Sequence, residues 1–210
     1  MIKSILCAAA FSALAFGASA ATITNGDFET GDLSGWTVGT TSNGETGVSG
    51  VSIFDTGGFG ASDAASFRVG QIDFDRRVNE GITLSQTISI LSEGVYSFAA
   101  EVAALGGSSR NSSGGVFELL VDDTLLDIFD TESLLAGDVE RDTLVGEIFL
   151  GTGPVDLTIR ITRPFLQTAN TPTQYVDNVT VSNLSTVPLP AGLPLLAIGL
   201  GSLVWIRRKS

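Results

Sequence analysis

Val155-Asp156-Leu157-Thr158-Ile159-Arg160-Ile161-Thr162 alternates without a break. Val155, Leu157, Ile159 and Ile161 share one face, and Asp156, Thr158, Arg160 and Thr162 share the other. Side chains of an extended strand point to opposite faces in turn, so this is an antiparallel strand with one buried side and one wet side. Working outward, the same period recurs in short runs and predicts strands at Val48–Phe54, Ala65–Val69, Ile82–Ile90, Val95–Ala103, Val116–Val121, Leu125–Phe129, Thr143–Leu150 and Tyr175–Ser182. Clusters of Gly, Ser, Asn and Asp separate the runs, and no long stretch has a helical period, which is the pattern of an all-β sandwich. Val121-Asp122-Asp123-Thr124-Leu125 reads as a tight hairpin, because Asp tolerates the turn geometry. Residues 105–115 carry no apolar side chain after Leu105 apart from glycines and are expected to form an exposed loop. One helical turn is expected between Thr131 and Asp142. There is no internal repeat and no linker, so the body is one domain.

The chain has 210 residues, and its two ends differ from its body. All 23 acidic residues lie between 21 and 186, against seven Arg and no Lys, a formal charge of −16. The chain has no His, and its one Cys, Cys7, lies in the leader. Ser-His-Asp and Cys-His nucleophilic sites are therefore excluded, as are His/Cys metal centres and a disulfide in the body. So strong a negative charge would repel a phosphate backbone, which argues against nucleic-acid binding.

Met1-Ile2-Lys3, the apolar run from Ile5 to Phe16 and the small residues Ala18-Ser19-Ala20 have the order of a secretory signal peptide spanning 1–20, cleaved before Ala21. At the other end, Leu189 to Ile206 is an uncharged stretch of 18 residues closed by Arg207-Arg208-Lys209. That length just covers a ~30 Å hydrocarbon core, and flanking positive charge stays on the cytoplasmic side. The body is thus expected outside the cytoplasmic membrane, anchored by this segment before processing. Val187-Pro188-Leu189-Pro190-Ala191, the apolar span and the basic tail together resemble the PEP-CTERM class of bacterial sorting signals in its VPLPA variant. The resemblance implies recognition of residues 187–210 by an exosortase, a membrane transpeptidase-like protease, in cells that make exopolysaccharide. A plain membrane anchor is the alternative.

Between the ends, Asn25-Gly26-Asp27-Phe28-Glu29, followed by Leu33-Ser34-Gly35-Trp36, resembles the opening of galactose-binding-like jelly rolls, which include several carbohydrate-binding-module families. Gln86-Thr87-Ile88-Ser89-Ile90, with Gly94-Val95-Tyr96-Ser97-Phe98, is similar to a middle unit of that fold, and Tyr175-Val176-Asp177-Asn178-Val179-Thr180-Val181 to its closing strand. The resemblance implies a jelly-roll β-sandwich over residues 21–186, and it implies a structural Ca²⁺ joining the first and last strands. Carried over, its ligands are the Asp27 carbonyl and the carboxylates of Glu29 and Asp177, with Asp63 or Asp55 as a further donor. Calcium accepts six to eight oxygens of mixed kind at loose geometry, which suits such a set.

Candidate ligand-binding side chains are Tyr175, Arg110 and Trp36. Trp36 is the only Trp of the body, and it either packs beneath the sheets, as the resemblance implies, or stacks on a sugar. Tyr175 opens the last strand and is expected at a rim. Arg110, alone in a polar loop, either meets an acidic sugar or, the simpler reading, is a free surface arginine. Tyr96 and Phe98 share a face, the core, and Phe54, Phe59, Phe67 and Phe74 are expected mostly in the core too. Asp73 and Asp75, two apart beside Arg76 and Arg77, pair as acids in a hydrolase would, but ion pairing at the surface is the simpler reading. The expected function is that of an exported, non-enzymatic protein of the envelope or exopolysaccharide matrix that binds glycan through a shallow polar site. The alternatives are a structural or adhesive matrix protein that binds other proteins, and a carboxylate-based glycoside hydrolase.

Overall fold

The computed structural model describes residues 21–107 and 112–184, with Ser112 described in its backbone only. These residues fall in one compact unit, Ala20–Thr186. In chain order the strands are β1 (Thr37–Thr40), β2 (Gly44–Glu45), β3 (Ser49–Phe54), β4 (Ser62–Phe67), β5 (Gly70–Gln71), β6 (Glu80–Ile90) and β7 (Gly94–Leu105). There follow β8 (Ser112–Ser113), β9 (Val116–Val121), β10 (Thr124–Asp130), β11 (Ser133–Leu134), β12 (Val139–Leu150), β13 (Gly153–Arg163) and β14 (Thr173–Asn183). No helix occurs among the described residues.

Ten of these strands form two antiparallel five-stranded sheets. The first has the order β1-β6-β13-β9-β10 and the second β12-β7-β14-β4-β3. From β6 onward the chain passes repeatedly between the sheets, the wrapping of a jelly roll. The alternating run at 155–162 is the centre of β13, hydrogen-bonded to β6 on one side and β9 on the other. Val155, Leu157, Ile159 and Ile161 are buried, facing the same core as Tyr96, Phe98, Ala100 and Val102 of β7. Each such aliphatic side chain contributes about 1.5–3 kcal/mol when withdrawn from water.

The β9–β10 hairpin turns on Asp122 and Asp123, both at positive φ (46° and 62°). Two successive left-handed residues make the turn whose twist matches the flanking strands, and Asp adopts that conformation more readily than most residues. The expected helical turn between 131 and 142 is absent. Leu134 enters the core from β11, which pairs with β8, and the chain then reverses at Gly137 (φ 84°), with Leu135 N donating to Asp138 Oδ2 at 2.9 Å. The same pairing corrects the expected loop at 105–115, where Gly114 and Gly115 are buried. Strand β1, Thr-Val-Gly-Thr, is too short and too polar to show a period, and its only ladder is with β6. Among the four phenylalanines expected mostly in the core, only Phe67 is in it. Phe59 is 95% exposed on the Gly57–Gly60 loop, Phe74 is half exposed with Arg76 5.6 Å over its ring, and Phe54 lies on the outer face of the second sheet.

Candidate functional site

Two regions gather polar side chains: the junction where the opening segment meets the closing strand, and the outer face of the first sheet. At the junction, β14 carries a bulge between Asp177 and Thr180, with Asn178 at φ 49°. A bulge re-aims the side chains around it. Here it directs Val179 N to the carbonyl of Gly26 at 2.8 Å, tying the opening motif to the last strand. It also leaves Asp177 only 1% exposed. Its Oδ2 accepts from Ser62 Oγ and its Oδ1 from Asn178 N, both at 2.7 Å.

Asp177 stands opposite Glu101 of β7, whose Oε2 accepts from Asn178 Nδ2 at 2.9 Å. Burial pushes the Asp177 carboxyl above the usual range, and the negative charges of Glu101 and Glu29 push the same way, against the bonds from Ser62 and Asn178. Glu29 Oε1 accepts from Asp63 N at 3.3 Å, while Asp27 Oδ1 accepts from Glu29 N at 3.5 Å. The structure therefore brings Glu29 and Asp177 to one place. Of the two further donors expected, Asp63 enters this contact through its backbone, and Asp55 turns to Gly60 N (3.1 Å) and Arg141.

Two residues at this junction carry no signal in the sequence. Thr56, from the loop after β3, is 1% exposed, and its Oγ1 is buried without a hydrogen-bond partner. Glu101 reaches the adjoining Gly57, where a Cβ would lie 2.4 Å from Glu101 Oε2. The Thr56 hydroxyl, one residue before Gly57, is thus unpartnered, and hydroxyl and carboxylate oxygens are donors that suit a hard cation. Among the described residues no group of three Asp or Glu side chains is placed to hold one metal ion.

On the outer face of the first sheet, the wet sides of three strands align. Thr37, Ser85 and Thr158 are cross-strand neighbours in one row, Thr83, Arg160 and Glu118 in the next, and Thr87 with Asp156 on the other side. Arg160 Nε donates to Glu118 Oε2 at 2.5 Å and Thr87 Oγ1 to Asp156 Oδ1 at 2.6 Å. The bond to Glu118 raises the Arg160 pKa above the ordinary arginine value. Two depressions lie along this face, one of about 400 Å³ at Thr37, Ser85, Thr87, Asp156 and Thr158, and one of about 510 Å³ at Glu118, Asp130, Arg160 and Thr162. Asp122 and Asp123 of the hairpin close the first.

The aromatic candidates lie elsewhere. Trp36 is 8% exposed, packs 5.7 Å from Phe28 and donates its indole N–H to the Asn25 carbonyl at 2.9 Å, so it belongs to the core. Tyr96 is buried. Tyr175 is not at a rim: it is 8% exposed, stacked on Phe54 at 3.8 Å, with Arg141 over the Phe54 ring, because β14 is the central strand of its sheet. Burial raises its phenol pKa. Asp75 is ion-paired with Arg77 at 2.9 Å, the simpler of its two readings. Arg110, the signal peptide, the VPLPA stretch 187–191 and Arg207, Arg208 and Lys209 lie outside the described residues.

No protein-family model matches the sequence, and no curated protein matches it. Similar solved structures include TmCBM61 in complex with β-1,4-galactotriose, 16% identical over 76% of this chain and 95% of that one, at a TM-score of 0.42. A structure of the carbohydrate-binding modules of the β-sandwich superfamily is 16% identical over 75% of this chain and 60% of that one, at 0.48. The CBM22-1 xylan-binding domain of Paenibacillus barcinonensis Xyn10C is 13% identical over 77% and 93%, at 0.41. Likenesses at this level carry no ligand or activity to the chain; its sandwich architecture rests on its own strand pairing.

Proposed function

We propose that this protein is an exported, non-enzymatic β-sandwich of the cell envelope or exopolysaccharide matrix that binds glycan on the outer face of its first sheet. The observation that supports this most is the register of Thr37, Ser85, Thr87, Thr158, Arg160 and Glu118, a rigid trough of hydroxyls and one charged pair. Such a trough hydrogen-bonds sugar hydroxyls without a stacking ring, giving a shallow site. Asp122, Asp123 and Asp156 at its end are exposed. They lack the water-excluded setting that separates a general acid from a base, so we assign them no catalytic role.

Calcium is proposed at the junction, held by Glu29, Asp177 and the Asp27 carbonyl, with Thr56 Oγ1 as a further oxygen. When bound, it would supply positive charge that offsets the Asp177, Glu101 and Glu29 repulsion and would fasten the first segment to the last strand. We also propose that the C-terminal segment is a sorting signal cut by an exosortase. Intact-mass measurement of surface-released protein would then show loss of everything after about Pro190, the motif's last proline. Full-length protein held in the inner membrane would leave only an anchor.

Affinity electrophoresis of the protein through gels containing soluble glycans, with and without calcium, tests the trough. Retardation by a polysaccharide that is lost in Thr158→Val and Ser85→Ala supports it. Unretarded migration through every gel supports a second reading, a structural or adhesive matrix protein. That reading is favoured by one observation, the burial of Trp36, Tyr96 and Tyr175, which leaves none of the three rings open for stacking.

A further inference from the structure

Most arginines of the described body have their charge accounted for. Arg77 pairs with Asp75, Arg141 with Asp55 and Arg160 with Glu118. Arg163 is buried and donates to the carbonyls of Ser113 and Val69, while Arg76 lies over Phe74. Arg68 differs. It is half-buried on the outer face of the second sheet, and its side chain makes one hydrogen bond, from Nε to Thr173 Oγ1 at 3.4 Å. Among the described residues no carboxylate lies within ion-pair distance of it. In a body of formal charge −16, this guanidinium keeps both terminal nitrogens clear of protein acceptors and so is open to an anion.

Strand register places polar groups around it. Arg68 N donates to the Val48 carbonyl at 3.1 Å, which aligns Arg68 with Val48 on one side, and the β14–β4 ladder aligns it with Thr173 on the other. The neighbouring row is Tyr175, Ser66 and Gly50. Together they line a groove of about 290 Å³ with Ser49 at its edge and no Asp or Glu in its wall. At Gly50 a Cβ would meet nothing within 4 Å, so the floor there is open. A groove of this volume lies at the small end of ligand sites and suits one sugar residue rather than a chain.

We propose that this groove binds the carboxylate of a hexuronic acid residue, with Arg68 as a two-pronged donor and the hydroxyls of Ser66 and Thr173, which share its face, meeting the sugar's own. A planar carboxylate matches the guanidinium fork. A single negative charge is the best fit to one Arg in a strongly acidic body, where a dianion would be undercompensated. The groove is on the opposite sheet from the trough and does not depend on it.

Calorimetric titration of the full chain in detergent with oligomers of galacturonate, glucuronate and mannuronate, and with their carboxyl-reduced counterparts, tests this. At least one acidic oligomer should bind, and its reduced form should not. Arg68→Gln should weaken binding about ten-fold or more, and Arg68→Lys, which keeps the charge but not the fork, should fall between. Thr158→Val should leave the uronate response unchanged while altering retardation by trough ligands. The proposal is overturned by no binding of any acidic oligomer, by equal binding of a reduced one, or by unchanged affinity in Arg68→Gln. It is also overturned if Thr158→Val, and not Arg68→Gln, removes the uronate response, which would place the acid in the trough. If Arg68→Gln does not fold, the comparison of acidic with reduced oligomers on the native chain, and Arg68→Lys, still decide.

Discussion

Removing divalent cations should lower the melting temperature, and Asp177→Ala should abolish that sensitivity. The carboxylate of Asp177 is buried opposite Glu101 and within the field of Glu29, so a cation bound beside it would offset both the burial and the repulsion. An ion present at 100 times its dissociation constant adds about 2.7 kcal/mol to the folded state. For a domain of this size each kcal/mol moves the midpoint by about 2–4 °C, so calcium against EDTA should separate two melting curves by about 5–11 °C. The substitution also removes the two 2.7 Å bonds from Ser62 and Asn178. Stranding those donors costs about 1–3 kcal/mol apiece, offset by the loss of a buried charge. The decisive quantity is therefore the calcium-minus-EDTA difference within each variant. Thr56→Val sharpens the test. Its hydroxyl is buried without a partner, so in EDTA its replacement by an isosteric methyl should be neutral or stabilising, whereas in calcium part of the shift should disappear. Identical wild-type midpoints in calcium and EDTA, or a full shift retained in Asp177→Ala, would refute the reasoning.

Further outcomes follow from single contacts. The Asp32 carboxyl is held below its usual pKa by its bonds from Ser34, side chain and backbone, and from Thr30. A depressed folded-state pKa gives stability that is present above the unfolded value of 3.8 and lost as pH falls through the lowered one, so the stability gap between wild type and Asp32→Asn in urea titrations should close in strong acid. In Arg163→Met the carbonyls of Ser113 and Val69 lose their donor inside the fold, and the urea midpoint should fall by the equivalent of about 2–5 kcal/mol. Gly26→Ala would put a Cβ 2.2 Å from the Val179 carbonyl oxygen, at the backbone bond that joins Gly26 of the opening motif to β14. Overpacking against backbone should cost about 1–3 kcal/mol, read as a lowered melting temperature in both calcium and EDTA.

The sandwich was legible because alternation is a local property. Val155–Ile161 and Gly94–Val102 each bury one face, and a period of two along a single segment already says so. The hairpin at Asp122-Asp123 and the shared core face of Tyr96 and Phe98 were equally local. Charge and composition, which need no coordinates, were enough to exclude histidine and cysteine chemistry in the body. Glu29 and Asp177 were linked only by a resemblance of motifs; in the structure they accept hydrogen bonds from the adjacent residues Asp63 and Ser62.

What alternation leaves open is what covers each face. Tyr175 and Phe59 are both aromatic residues near polar neighbours. One is buried because its strand is central and Phe54 stacks on it, and the other is exposed because its glycine-flanked loop packs under nothing. The orphaned hydroxyl of Thr56, the contact of Ser62 with Asp177 across 115 residues, and the lone bond of Arg68 to Thr173 across 105 depend on pairings between distant strands. A one-dimensional pattern carries which side of a strand is wet. Which charges meet, and which are left without a partner, is decided only when β14 slots between β4 and β7, because electrostatic and hydrogen-bond energies depend on distance in space rather than along the chain.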